Sequence, residues 1–341
     1  MLAFFLALQL FPQAGEAPYR QPQVATDGRT VAVAFGAGNT VYFTKRTGDG
    51  FSTPVKVASA LSVALGRHRG PRIAVTPEAI VISAIVGSGK PGADGDVVAW
   101  RSTDGGKSWS SGTRVNDVSA SAREGLHTMA YGAGTLFSAW LDLREKGTRI
   151  YGAISKDGGK TWSPNQLVYS SPSGTVCECC HPTAIVDGSG RISVMFRNSS
   201  EGARDMYLAS SQDGKTFAPA EKLGHGTWPL NACPMDGGGL AVDHTGSLVS
   251  IWRRDKEVFL AKPGAAEKLL AAGKDASVLV TRKGTYAVWT SGTAVHALLP
   301  GKSEAVVVDA AGGFGQLVAL PDGGALAVWE SPKGIIGKQL E

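Results

Sequence analysis

The feature that most constrains this chain is a unit that recurs seven times along its 341 residues. Each copy joins an apolar stretch, a turn rich in Gly or Asp, and a second apolar stretch ending on an aromatic or aliphatic residue. The copies run from Pro22 to Phe35, Pro71 to Ile85, His127 to Trp140 and Pro182 to Phe196, then from Gly238 to Trp252, Ala276 to Trp289 and Gln316 to Trp329. A third apolar segment follows in several copies (Thr40 to Thr44, Asp96 to Trp100, Asp205 to Ala209), and a fourth closes some of them, as in Ser52 to Val57. Repeats of this length made of short strands are the signature of a β-propeller, whose four-stranded antiparallel blades bury their faces only against neighbouring blades. The chain therefore reads as all-β and as one propeller domain over residues 18–341, with seven blades and six as the alternative. The 45 glycines and 17 prolines supply the many turns such a fold needs. The last copy, ending at Leu340, has no fourth segment of its own, so a strand near Ala17 to Gln21 is expected to complete it and latch the ring.

Three copies carry a further motif between the third and fourth segments: Ser102-Thr-Asp-Gly-Gly-Lys-Ser-Trp109, Ser155-Lys-Asp-Gly-Gly-Lys-Thr-Trp162 and the shorter Ser211-Gln-Asp-Gly-Lys-Thr-Phe217. Asp accepts backbone N–H groups, Gly takes positive φ, and the aromatic packs back between strands, so each motif is a hairpin clasp. The form S-x-D-x-G-x-x-W resembles the Asp box, or bacterial neuraminidase repeat, of the sialidase-like propellers, and the resemblance covers nearly the whole chain. It implies that the boxes lie on the outer rim of one face, away from the ligand site. It also implies three arginines for a substrate carboxylate, a Tyr nucleophile assisted by Glu, and an Asp acid/base. Pro71-Arg72-Ile73-Ala74 resembles the family's first-arginine motif, and Arg197 and Arg204 resemble its later arginines. The catalytic set so implied is Arg72, Arg197, Arg204 and Glu178, with Asp94 or Asp96 as acid/base. The sequence departs from the pattern in three places. His181 stands where the family has Glu, with Glu178 displaced by three residues; the last blade has no Tyr, the final one being Tyr286; and Ile85-Val86-Gly87-Ser88 replaces a further arginine.

The chemistry-bearing residues gather where successive copies begin. Val176 to Pro182 reads V-C-E-C-C-H-P, and Cys233 opens Cys233-Pro234-Met235-Asp236. Three residues before the first-strand position stand His68, Glu124, Cys179 and Met235 in four consecutive copies, and Cys177 aligns with Cys233. Such positions surround a propeller's axis at one end. Thiolate, thioether and imidazole donors suit copper first and zinc second. The primary set is Cys177, Cys179, Cys180, His181, Cys233 and Met235, with His68, Glu124 and His127 in reserve. Four cysteines in an exported protein also fit two disulfides, or one bridge with free thiols. Three functions follow: metal-dependent redox or metal handling at the axial mouth, an exo-sialidase or other glycoside hydrolase, and a non-catalytic binding platform with disulfide-stapled loops. The partner in each case is a small molecule, glycan or metal at the mouth.

Met1 to Phe11 is apolar apart from Gln9 and is followed by small residues. It reads as a signal peptide over residues 1–17, cleaved after Ala14 or Ala17, which places the protein in the periplasm or outside the cell. No later stretch is long and apolar enough for a transmembrane helix. The net charge of +5 is scattered, which argues against nucleic acid as a partner.

Overall fold

A computed structural model describes residues 9–12, 18–89 and 92–341. The expected signal peptide falls for the most part on residues 1–8 and 13–17, outside the described residues. The described chain forms seven antiparallel sheets and no helix, five of them four-stranded and two five-stranded. It follows that no described helix is long and apolar enough to cross a membrane. The innermost strands are Arg20–Thr26, Arg72–Val75, His127–Gly132, Thr183–Val186, Gly238–Val242, Lys274–Thr281 and Gly313–Ala319. Each touches the next, and the last touches the first, so the ring closes around one axis. This is the expected seven-bladed propeller.

The alternation of the second strands explains why the sheets stack radially. In Val31–Ala37 every residue is buried. Val31, Val33, Phe35 and Ala37 pack toward blade seven with Val318 and Val328, while Ala32 and Ala34 pack toward blade two with Ile73 and Ile82. Successive side chains leave a strand on opposite faces, so one strand fills two seams. Seven apolar clusters result, one in each seam between blades. Trp140 and Trp329 are fully buried in two of these seams, and their indole N–H groups donate to Asp142 at 2.7 Å and Asp309 at 2.8 Å.

Ring closure departs from the sequence expectation. The outer strand of blade seven is Gln9–Leu10, with Gln9 opposite Gly337 and Leu10 opposite Ile336. Phe11 donates its N–H to the Ile335 carbonyl at 3.0 Å, and its ring packs on Phe51 at 4.0 Å. The segment expected to latch the ring, near Ala17 to Gln21, instead runs into the innermost strand of blade one. The displacement has a simple cause: Phe11 buries an apolar ring against Phe35 and Phe51, whereas Arg20 and Gln21 are polar. Cleavage after Ala14 or Ala17 would remove that outer strand.

The Asp boxes form as the motif dictates. Asp104 accepts from the backbone of Lys107 and Ser108 and from both serine hydroxyls, and Asp157 accepts from Ser155 and Thr161 in the same way. Gly106 sits at φ +91°, and a Cβ there would fall 2.0 Å from the Phe43 ring of the neighbouring blade. These clasps join third to fourth strands. By the antiparallel order they lie at the end of the ring opposite the starts of the innermost strands.

Candidate functional site at the propeller axis

The backbone at the mouth is unusual in one respect. Gln21, His68, Met235, Asp275 and Phe314 all take left-handed conformations, with φ between 53° and 57°, and none is a glycine. All five stand at the start of innermost strands, from blades one, two, five, six and seven. In blades one, six and seven the same place carries a β-bulge, between Arg20 and Gln23, Lys274 and Ser277, and Gly313 and Gln316. A non-glycine residue in this region costs roughly 1–2 kcal/mol, and bulges re-aim side chains out of the regular alternation. Repeated strain of this kind at one end of a ring marks a functional site more often than an accident of folding.

The side chains so re-aimed meet on the axis. His68 Nε2 lies 2.8 Å from Asp275 Oδ1 and 4.0 Å from Asp236 Oδ1, and the Asp275 backbone N–H donates to Asp236 Oδ2 at 3.0 Å. The His181 ring stacks on His68 at 4.3 Å between centroids, and Phe314 meets His68 edge-on at 5.1 Å. The Gln21 amide donates to Glu330 at 2.9 Å. Next to this cluster is an axial cavity of about 220 Å³, with His68, His181, Asp275 and Phe314 in its wall. The two aspartates titrate in opposite directions. Burial pushes Asp236 above the ordinary carboxylate range. Burial acts upward on Asp275 too, but its hydrogen bond to His68 and the charge of that ring outweigh it and hold the carboxyl low. Burial first, then the neighbouring His68, keeps His181 well below the usual imidazole range.

The arginines implied by the sialidase resemblance donate to backbone carbonyls and to a serine. Arg72 donates to the carbonyls of His127, Gly70, Pro71 and His68, and burial lowers its pKa to about 10. Arg197 donates to the carbonyls of Asp236, Arg204 and Arg253. Arg204 bonds Ser199. Asp205 pairs with Lys222 at 2.9 Å, not with Arg204 beside it. Glu178 is exposed and accepts from the Thr175 hydroxyl at 3.0 Å. Glu124 is half-buried, its carboxyl raised by burial and then by Glu178. His127 is wholly buried, bonded to Ser83 at 3.0 Å, and stands apart from the thiols.

The cysteines form a second cluster in the seam between blades four and five. A turn in which Cys180 N–H meets the Cys177 carbonyl at 3.5 Å sets Cys177 Sγ 3.4 Å from Cys180 Sγ and 3.7 Å from Cys179 Sγ. The sulfurs of these three lie within 4.8 Å of one another, and the exposed Cys233 acts on Cys179. None is bridged, which departs from the two disulfides an exported chain suggests. Cys179 raises Cys177 to about 11, and burial raises Cys180 to about 12. Thus the single Cys/His/Met group expected from the sequence divides in two. Imidazoles face the axis with Asp236 and Asp275, and the thiols gather beside it. His181 Nδ1 is taken up by the Gly237 N–H at 3.3 Å. The aspartates, Gln21 and Phe314 were not singled out from sequence, although they occupy the same strand-start positions that drew attention to His68 and Met235.

Residues 40–246 match the family model described as a BNR repeat-like domain. Among solved structures the chain resembles the polysaccharide lyase Uly1 (12% identity, 97% of this chain and 92% of that one covered, TM-score 0.59). It also resembles a Penicillium chrysogenum α-L-arabinanase complexed with arabinobiose (13% identity, 95% and 93% covered, TM-score 0.54). A third likeness is to a leech intramolecular trans-sialidase (12% identity, 95% and 67% covered, TM-score 0.55). At these identities the likeness is one of fold. No curated protein matches the sequence.

Proposed function

We propose that this chain, which belongs to the family of BNR repeat-like domains, is a glycoside hydrolase that removes a single uncharged sugar at the axial mouth. One observation carries the reading: His68 and Asp275 form a buried, strained imidazole–carboxylate dyad on the wall of a cavity on the propeller axis. Proteins of the same fold include enzymes named for acting on arabinan and on sialosides. A volume of about 220 Å³ is below the ~300–1,000 Å³ of sites that take drug-sized ligands. It suits one ring, hence release from a chain end.

The chemistry follows from which groups are free. Cleaving a glycosidic bond needs a proton for the leaving oxygen and an attacking group on the other side of the sugar. The ligating atoms of His68, Asp236 and Asp275 all lie within 4.8 Å of one another. Two carboxylates that divided the work across a sugar ring would stand about 5–9.5 Å apart. Here the aspartates serve the same side, with His68 as the group that carries the proton to the leaving oxygen, and a water molecule attacks the anomeric carbon from the opposite face, losing a proton to solvent. Asp275 fixes the imidazole and balances its charge, and Asp236 stands behind it. Proton transfer of this kind contributes roughly 10²–10⁴-fold.

The substrate is read as uncharged from how the two buried arginines of the sialidase resemblance are engaged. Arg72 and Arg197 have their donors committed to carbonyls, which sets this mouth apart from the arginine triad implied by the sialidase resemblance. The test is a panel of nitrophenyl glycosides of neutral sugars beside a sialoside. Release from a neutral member, reduced at least 100-fold in His68→Gln, supports the reading. Cleavage of the sialoside alone, or activity indifferent to His68→Gln, rejects it.

A further inference from the structure

Beside the axis, the thiols of Cys177, Cys179 and Cys180 occupy one small volume and contact one another. A metal–thiolate bond is ~2.3 Å long, so three sulfurs around one ion stand ~3.8–4.0 Å apart. Two of the separations here are 3.4 and 3.7 Å, roughly 0.6 and 0.3 Å short of the trigonal spacing, and all three sulfurs lie within 4.8 Å of one another. A disulfide needs ~2.05 Å, and no pair is that close. Cys177 and Cys180 are buried, and Cys179 is partly so.

A second, independent observation concerns charge. Arg197 is fully buried beside Cys180, with its donors directed to carbonyls and, among the described residues, no ion pair. It also acts on Asp236, which burial keeps toward its neutral form. Trp228 covers the guanidinium from the other side at 5.1 Å. An uncompensated buried cation is costly, and a thiolate cluster carrying net negative charge next to Cys180 would offset it.

We propose that Cys177, Cys179 and Cys180 form a trigonal thiolate site for a soft d10 cation, Cu(I) ahead of Zn(II), with Arg197 as its counter-charge and Cys233 closing it from solvent. The ligand count sets the order: three sulfurs group together, His181 faces the axis, and thiolates suit both ions, but structural Zn(II) takes four ligands. Binding forms three copper–sulfur bonds and releases up to three thiol protons to solvent. No electron is transferred. The site uses none of the residues assigned to sugar cleavage, so either reading can fail alone.

The experiment titrates the fully reduced, full-length protein with Cu(I) under anaerobic conditions against a bicinchoninate competitor, with Zn(II) as a second probe. One Cu(I) per chain, a thiolate-to-copper absorption band and quenching of Trp228 fluorescence are expected. Affinity should fall at least 100-fold in Cys177→Ser with Cys180→Ser. Cys179→Ser alone, the milder change should the double variant not fold, should lose at least 10-fold. Displacement of Cu(I) by equimolar Zn(II), Cu(I) uptake no greater than that of the double variant, or two disulfides in the protein as exported would each overturn the site.

Discussion

The Asp-box rim and the axial mouth both use aspartates, and they use them in opposite ways. Asp104, Asp157 and Asp213 accept from hydroxyls and N–H groups within four residues of themselves, at the solvent-facing edge of a turn. Those bonds draw the carboxyls down, to about 2 in Asp157 against the upward pull of its burial. Asp236 and Asp275 are buried, and His68, their partner, is 207 residues from Asp275. A rim carboxylate is placed by its neighbours in sequence and stabilises its own turn. An axial carboxylate is placed by ring closure, and burial acts against its charge, a cost that His68 offsets for Asp275 but not for Asp236. Side chains held at such a cost are retained where chemistry needs them.

The contrast is broken or sharpened by substitution. The largest effect is expected from Asp275→Asn, which should lower glycoside turnover by about 10²–10⁴-fold and also lower the melting temperature, because His68 loses its anionic partner; steady-state kinetics beside calorimetry would check this. Next is Gly106→Ala at the rim. A Cβ at φ +91° would strike Phe43, so a loss of about 2–3 kcal/mol in denaturant unfolding is expected, with turnover unaltered.

Titration gives the opposing signs directly. Asp157 and Glu267 both have folded pKa values of about 2, below their ordinary values. Their contribution is complete above about pH 4.5 and is lost as pH falls toward 2. Asp236 is raised, so its contribution is present only below its ordinary value and is lost as pH rises through the folded one. At pH 7, therefore, Asp236→Asn should raise the melting temperature. Asp157→Asn should lower stability by about 1 kcal/mol, since solvent screens its bonds.

The smallest effect is expected from Met235→Gly. Met235 has φ 53° and is half-buried, so glycine relieves backbone strain and removes little packing. A stability change within about 1 kcal/mol and undiminished Cu(I) binding would separate Met235 from the thiol site.

Much of this architecture was legible because it is local. Pairs such as Val33 with Ala34, facing opposite seams, are visible as alternation, and the three Asp boxes announce their own hairpins. The seven strand starts occupy one position in the repeated unit, which brings His68, His181 and the cysteines to the same end. The partition between them was not legible. It depends on Gln21, Asp275 and Phe314 adopting left-handed backbone at bulges, and no residue type in those positions signals it. Nor could sequence reveal that Arg72 and Arg197 would spend their donors on carbonyls, since an arginine in a matching motif looks the same whether it meets ligand or backbone. The closing strand was misplaced for a related reason: the apolar stretch through Leu10 and Phe11 satisfies a leader sequence and a buried edge strand equally well.

The central claim is that ligand binds on the axis, and a crystal structure of the Asp275→Asn variant soaked with a neutral oligosaccharide tests it most directly. The account predicts one terminal ring in the cavity against His68 and Phe314, with its glycosidic oxygen within hydrogen-bond reach of the imidazole. A saccharide held on the outer face of the blades or among the Asp boxes, with the axial cavity unchanged, would contradict it.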